Sequence, residues 1–119
     1  MNQVIERSIL VASMIFLVGC GSGKQTYEIS DVTKESTITL RKNANQKNIH
    51  SITIMGKGYL DGDAEIVLIL DNKPYKTERI SGNVNFERGG DWYSDGAEIR
   101  YKPSSVKGGK LTLYYEFYD

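Results

Sequence analysis

The chain has 119 residues, and its 15 lysine and arginine side chains balance its 15 aspartate and glutamate side chains, so the formal net charge is zero. A neutral chain of this length suits one small domain and has no general electrostatic attraction to nucleic acid. One cysteine, Cys20, excludes an intramolecular disulfide, and one histidine, His50, excludes a zinc site built from several histidines or thiolates.

The first segment has the three-part layout of an export signal. A polar start, Met1 to Arg7, precedes an apolar-to-small stretch, Ser8 to Val18, and the small residue Gly19 follows. The apolar stretch holds about 11 residues, fewer than the roughly 18 that a membrane-spanning helix needs. We therefore expect residues 1–19 to be a signal peptide that is removed.

The residues Leu17-Val18-Gly19-Cys20 resemble the lipobox of bacterial lipoproteins. The resemblance implies that Cys20 is acylated on sulfur, for example with palmitate, and becomes the first residue of a mature chain held to a membrane by lipid. Retention in the inner membrane depends in this family on an aspartate after the cysteine, and Gly21 stands there instead. In a Gram-negative cell the resemblance therefore implies the outer membrane, facing the periplasm.

Residues 20–24 are then the lipidated cysteine and a flexible tether, and residues 25–119 are the domain. Alternation of apolar and polar side chains predicts strands at 33–41 and 50–55, and Lys57–Asp63, rich in glycine and aspartate, is expected to end the second. Ala64–Leu70 is the most apolar run and predicts a central strand covered on both faces. Asp71-Asn72-Lys73-Pro74 predicts a hairpin loop after it.

The C-terminal half predicts further strands at 75–80, 84–86, 97–101 and 111–117. Gly89-Gly90 is expected to break one of them and Pro103 to stop the next. About seven to eight short strands without crossover helices predict an all-β fold, a small antiparallel β-sandwich or a partly closed barrel. If Leu111–Phe117 lies at a sheet edge, it could pair with another chain.

Four aspartates in two acidic loops are weak calcium candidates: Asp61, Asp63, Asp91 and Asp95. Calcium takes about six to eight oxygen ligands, but these loops lack the spacing of a calcium-binding loop, and aspartate beside glycine is also common in turns. A calcium site and solvated turns both remain open. Paired carboxylates can also hydrolyse a glycosidic bond. A domain this small has little room for a cleft, so we expect no catalytic residue, no cofactor and no enzyme activity.

Four aromatic residues are candidates for a binding surface: Trp92, Tyr93, Tyr114 and Tyr118. Rigid rings with a polar tip suit the recognition of protein or sugar. In the alternative interpretation, Trp92 packs over an open edge of the core and the tyrosines are ordinary strand residues.

These observations predict a membrane-anchored envelope lipoprotein that binds a protein or fills a structural role without catalysis. A carbohydrate- or calcium-dependent binding module that uses the aromatic loop from Asp91 to Asp95 is one alternative. A small hydrolase with paired carboxylates is another. The expected partners are a membrane, through lipid on Cys20, and an envelope protein, with carbohydrate open and nucleic acid excluded.

Overall fold

The structure is a computed structural model that describes residues 24–119, so the predicted signal peptide and Cys20 lie outside the described residues. Its six strands are β1 (Gln25–Glu28), β2 (Ser36–Arg41), β3 (Ser51–Leu70), β4 (Lys73–Asp91), β5 (Gly96–Pro103) and β6 (Gly109–Tyr118). The strands form one curled antiparallel sheet, which confirms the predicted fold class. In this part of the chain, no helix is long and apolar enough to cross a membrane.

The central strand β3 pairs with three other strands. One edge of β3 pairs with β4 along almost the full length of both strands. On the other edge, Ser51–Leu60 pairs with β6 and Ala64–Ile69 pairs with β5. Because β1 lies beside β6 and β2 beside β5, the bent pair of β3 and β4 joins two half-sheets. The first half-sheet contains β1 and β6, and the second contains β2 and β5.

The segment Lys57–Asp63 bends β3 without ending it, so the predicted strand end is wrong. A register shift between Leu60 and Asp63 marks the bend, and Gly62 adopts a φ of 136° there, a conformation that favours glycine. The backbone stays hydrogen-bonded on both sides of Gly62. Asp61 N donates to Gly108 O at 2.9 Å, and Ser104 N donates to Asp63 O at 2.9 Å.

The predicted break at Gly89-Gly90 is also wrong, because both residues remain in β4, opposite Thr53 and Ile52 of β3. Each of the long strands β3 and β4 supplies one segment to each half-sheet. A sequence that predicts seven to eight short strands therefore folds into six.

Alternate residues of the strands fill one apolar core on the concave side of the curled sheet. The most completely buried large side chains are Ile38, Leu40, Leu60, Ile99, Tyr101, Leu111, Leu113 and Phe117. Residues 66–69 are all buried, which confirms that the second half of β3 is covered on both faces.

The hairpin between β3 and β4 is tighter than predicted. Leu70 pairs with Lys73, and the two loop residues Asp71 and Asn72 have φ angles of 54° and 63°. Two successive positive φ angles define the type I′ turn that suits a two-residue hairpin. Pro74 belongs to β4 and lies at a register shift, where proline is tolerated.

The last strand is interior and does not form an edge. β6 lies between β1 and β3, so Leu111–Phe117 is paired on both sides over most of its length, and the expectation that this strand could pair with another chain is wrong. The long free edge belongs to β4, which carries Pro74, a register shift and several charged side chains. These features discourage edge-to-edge association.

Candidate functional site

The outer face of the first half-sheet brings together two of the predicted aromatic residues with polar neighbours. Residues directly opposite each other on antiparallel strands share a face. The register places Met55 of β3 between Tyr114 of β6 and Glu87 of β4, and it places Thr53 opposite Glu116. These five side chains therefore lie next to one another on the convex side of the sheet.

An open groove of about 250 Å³ crosses this face, and we call it the tyrosine groove. Its lining residues are Lys24, Thr53, Met55, Glu87, Tyr114, Tyr115, Glu116 and Tyr118. Tyr118 is 37% exposed, and its hydroxyl donates a long hydrogen bond of 3.5 Å to Glu116 Oε1. Tyr114 is half-buried. Burial raises the pKa of the Tyr115 phenol, which packs against the core.

Trp92 does not belong to an exposed surface. Its side chain is only 5% exposed, and its indole Nε1 donates a 2.9 Å hydrogen bond to the carbonyl of Gly96. The ring of Tyr75 lies 6.4 Å from the Trp92 ring, centroid to centroid. The interpretation of Trp92 as a binding-surface residue is therefore wrong, and its alternative placement against the core is the observed one. Tyr93 is 77% exposed in the following loop and does not line the tyrosine groove.

The four calcium candidates are divided between the two ends of the domain. Asp61 and Asp63 lie at the bend of β3, whereas Asp91 and Asp95 flank the loop that begins at Trp92, and all four residues are exposed. Among residues 24–119, no three or more histidine, cysteine, aspartate or glutamate side chains group closely enough to hold a metal ion. Asp61 and Asp63 therefore belong to the bend within β3 and not to a separate loop, whereas Asp91 and Asp95 flank an exposed loop.

The single histidine contributes to the fold through hydrogen bonds of its backbone. His50 N donates to Tyr118 O at 2.9 Å, and Trp92 N donates to His50 O at 3.1 Å. These bonds connect the start of β3 to the ends of β6 and β4, and the side chain of His50 is exposed. These backbone hydrogen bonds, and not the side chain, hold His50 in place.

A larger open groove of about 590 Å³ lies on the outer side of the bend. Its charged lining residues are Asp63, Glu65, Arg79 and Lys102, and no aromatic ring contributes to it. Arg79 Nε lies 3.6 Å from Glu65 Oε2, so opposite charges are already paired within the groove. The tyrosine groove, with its rings and its thioether, is the better candidate for recognition.

Sequence reasoning missed Thr53, Met55 and Glu87 as members of the site. Alternation already places Thr53 and Met55 on the face opposite the core residues Ile52 and Ile54. The cross-strand neighbours of Met55 depend on strand order, which local patterns do not reveal.

Neither family models nor curated proteins match the chain. Among solved structures, it is similar to a carbohydrate-binding module, CBM36 in complex with calcium and xylotriose, at 13% sequence identity and a TM-score of 0.40. The likeness covers 83% of this chain and 91% of that chain.

Proposed function

We propose that this chain is an exported, lipid-anchored envelope module that binds a partner protein through the tyrosine groove and does not catalyse a reaction. The composition of the groove carries this proposal. Tyr114 and Met55 lie at its centre, and Glu87 and Glu116 lie beside them. Protein interfaces are enriched in aromatic residues and methionine at the centre and are polar at the rim.

The size of the face agrees with a modest interface. Three strand segments about ten residues long and the four-residue β1, about 4.8 Å apart and at about 3.3 Å per residue, cover roughly 540 Å². A standard interface buries about 800 Å² on each partner, and smaller ones are typical of transient complexes. We therefore expect a partner that associates reversibly.

The proposed anchor is lipid on Cys20, which rests on the lipobox resemblance. Lys24, four positions after Cys20 in the sequence, lines the tyrosine groove. An anchor at Cys20 would thus hold the groove near a membrane surface, where an envelope protein could reach it. In a Gram-negative cell the proposed location is the periplasmic face of the outer membrane.

The proposal is tested by a crosslinked pull-down from envelope membranes with the full-length, lipidated protein. We expect Tyr114→Ala and Met55→Ala each to reduce capture of the partner by about tenfold, the effect of losing about 1.4 kcal/mol of binding free energy. Tyr59→Ala is the matched control, because Tyr59 is 53% exposed and does not line the groove. Equal capture by all three variants, with circular dichroism showing intact strands, would overturn the proposal.

Carbohydrate binding at the same groove is the second candidate. Tyr118 presents a partly exposed ring, and its hydroxyl lies 3.5 Å from the Glu116 carboxylate. A ring face beside a carboxylate offers both an apolar contact and a hydrogen-bond acceptor to a sugar. A glycan array, with and without calcium, tests this candidate. A signal that Tyr118→Ala removes would support it, and silence in both conditions would eliminate it.

A further inference from the structure

Several loops meet at the end of the domain where the described chain begins. The side-chain Nε2 of Gln25 donates to Arg41 O at 2.8 Å, so the start of β1 lies beside the end of β2. Lys42 N donates to Asp95 O at 2.9 Å, so the loop between β4 and β5 lies at the same end of the domain. We call this the tether end, and the bend of β3 forms the opposite end.

The hairpin between β3 and β4 reaches the tether end as well. Tyr75, just after the hairpin, places its ring beside Trp92 of the loop between β4 and β5. Trp92 N in turn donates to His50 O, next to the start of β3. The hairpin, this loop and the first described residues therefore share one end of the domain.

Exposed apolar side chains are concentrated at the tether end. Within residues 24–119, six large hydrophobic side chains are exposed, and four of them lie there: Leu70 (41%), Tyr75 (48%), Tyr93 (77%) and Tyr118 (37%). Scattered exposed apolar residues are ordinary, but their concentration at one end of a small domain marks a contact surface.

The length of chain before this end identifies what the surface contacts. Lys24 follows Cys20 by four positions in the sequence, and a chain of four residues spans at most about 14 Å. The domain measures 47 by 40 by 22 Å. With Cys20 held in a bilayer, a tether this short keeps the tether end near the membrane, whereas the bend end can lie much farther away.

We infer that the tether end rests on the lipid surface, with Leu70, Tyr75 and Tyr93 in the headgroup region. Tyrosine is favoured at membrane interfaces because its ring is apolar and its hydroxyl stays hydrated. Lys76 Nζ lies 5.6 Å from the centroid of the Tyr75 ring, and Lys73 is also in this hairpin region. Their positive charge attracts anionic lipid. Lys76 Nζ also donates a long hydrogen bond of 3.5 Å to Gly89 O, and the exposed Asp71 of the same hairpin carries the opposite charge.

This inference rests on the proposed lipid anchor and adds an orientation to it. Contact through the tether end would direct the tyrosine groove sideways, open to a partner in the same membrane.

The experiment uses a fluorescent probe on the full-length, lipidated protein in vesicles of phosphatidylethanolamine and phosphatidylglycerol. Acylation of Cys20 would leave an introduced cysteine as the only free thiol. An environment-sensitive dye is attached at Ser94→Cys, beside Tyr93, or at Lys107→Cys, in the loop that packs on the bend. We expect blue-shifted emission and several-fold stronger quenching by lipid-borne quenchers at position 94 than at position 107.

Replacing Leu70, Tyr75 and Tyr93 together by serine should return the probe at position 94 to water-like emission, whereas Tyr59→Ser should not. Mass spectrometry of Cys20 separates the two ideas. An unacylated Cys20 would overturn the proposed anchor. An acylated Cys20 with water-like emission at both positions would overturn the inferred orientation alone.

Discussion

The hydroxyl of Tyr101 donates a 2.7 Å hydrogen bond to the backbone carbonyl of Val32. Tyr101 lies in β5 of the second half-sheet and is fully buried, whereas Val32 lies in the crossing from β1 to β2 and is 5% exposed. The bond therefore fastens the crossing segment to the core. Burial raises the pKa of the Tyr101 phenol, because the phenolate would lose its hydration, and the nearby negative charge of Asp31 raises it further.

Removing this hydroxyl should destabilise the fold. We expect Tyr101→Phe to lower the free energy of unfolding by about 1–2 kcal/mol, because the carbonyl of Val32 is left buried without its donor. Urea denaturation at neutral pH measures the change. Tyr27→Phe is the control, since Tyr27 is 40% exposed, and we expect it to alter stability by less than about 0.5 kcal/mol. An equal effect of both substitutions would contradict this account.

The raised pKa of Tyr101 also predicts a dependence on alkaline pH. The ordinary value of 10.0 applies to the unfolded chain, and the folded chain holds the proton to higher pH. Stability is therefore fully present below the unfolded pKa and declines as the pH rises from there through the folded pKa. Denaturation curves between neutral pH and about pH 11 should show a smaller loss for Tyr101→Phe than for the unaltered protein. Identical losses would show that Tyr101 does not contribute.

Substitution of Trp92 should lower the stability of the fold, because Trp92 is a core residue and not part of a binding surface. We expect Trp92→Ala to cost about 3–5 kcal/mol, because it empties a buried volume and leaves the carbonyl of Gly96 without the indole donor. Trp92→Phe keeps an apolar ring and should cost less. Urea denaturation of both variants, followed by circular dichroism, checks this order. A Trp92→Ala protein as stable as the unaltered one would refute the assignment of Trp92 to the core.

Local sequence patterns were sufficient to predict strands that have one buried face and one exposed face. Leu111–Phe117 alternates between core and surface, and the structure buries Leu111, Leu113 and Phe117 as that pattern predicts. The bend at Lys57–Asp63 could not be recognised, because glycine and aspartate also terminate strands. Its continuity depends on hydrogen bonds such as Asp61 N to Gly108 O, which join segments far apart in sequence.

In the candidate site, too, some features follow from local sequence patterns and others follow only from the fold. Exposure of Tyr118 follows from alternation in β6, but its grouping with Tyr114, Met55 and Glu87 follows from β6 and β4 flanking the first half of β3. The burial of Trp92 could not be predicted from the sequence, because a glycine-flanked loop is as compatible with exposure as with burial. The carbonyl of Gly96, which accepts the indole hydrogen bond, is positioned only by the fold.

Close backbone packing on the approach to the bend predicts a strong requirement for glycine at position 58. Gly58 has a φ of 154°, and a Cβ there would collide with the carbonyl of Lys110 on β6. We expect Gly58→Ala to destabilise the protein by about 3 kcal/mol, through backbone strain and separation of β3 from β6. Gly108→Ala is the matched control, because a Cβ at Gly108 has nothing within 4 Å. Thermal unfolding midpoints that fall equally in the two variants would contradict this explanation.

The curling of the sheet brings the two halves of β4 together, and one ion pair joins them. Arg88 Nε lies 2.6 Å from Glu78 Oε1, with Arg88 opposite Ile54 and Glu78 opposite Ile66 on β3. The side chain of Glu78 is 21% exposed and that of Arg88 is 58% exposed, so solvent screens much of the attraction. Below this pair, Ile54, Ile66 and Phe86 line a small apolar recess.

We therefore expect a modest coupling between these two residues. A double-mutant cycle of Glu78→Gln and Arg88→Gln should give a coupling free energy of about 0.5–1 kcal/mol in low salt and less in 1 M salt, where the Debye length is only about 3 Å. The cycle of Glu98 and Arg100, a pair 2.8 Å apart within β5, serves as a comparison that does not link the two halves of β4. If the pair helps to hold the two halves together, only the first cycle should also change hydrogen exchange along β4. Unchanged exchange in both cycles would reduce the Glu78–Arg88 contact to a surface ion pair without a role in the curled shape.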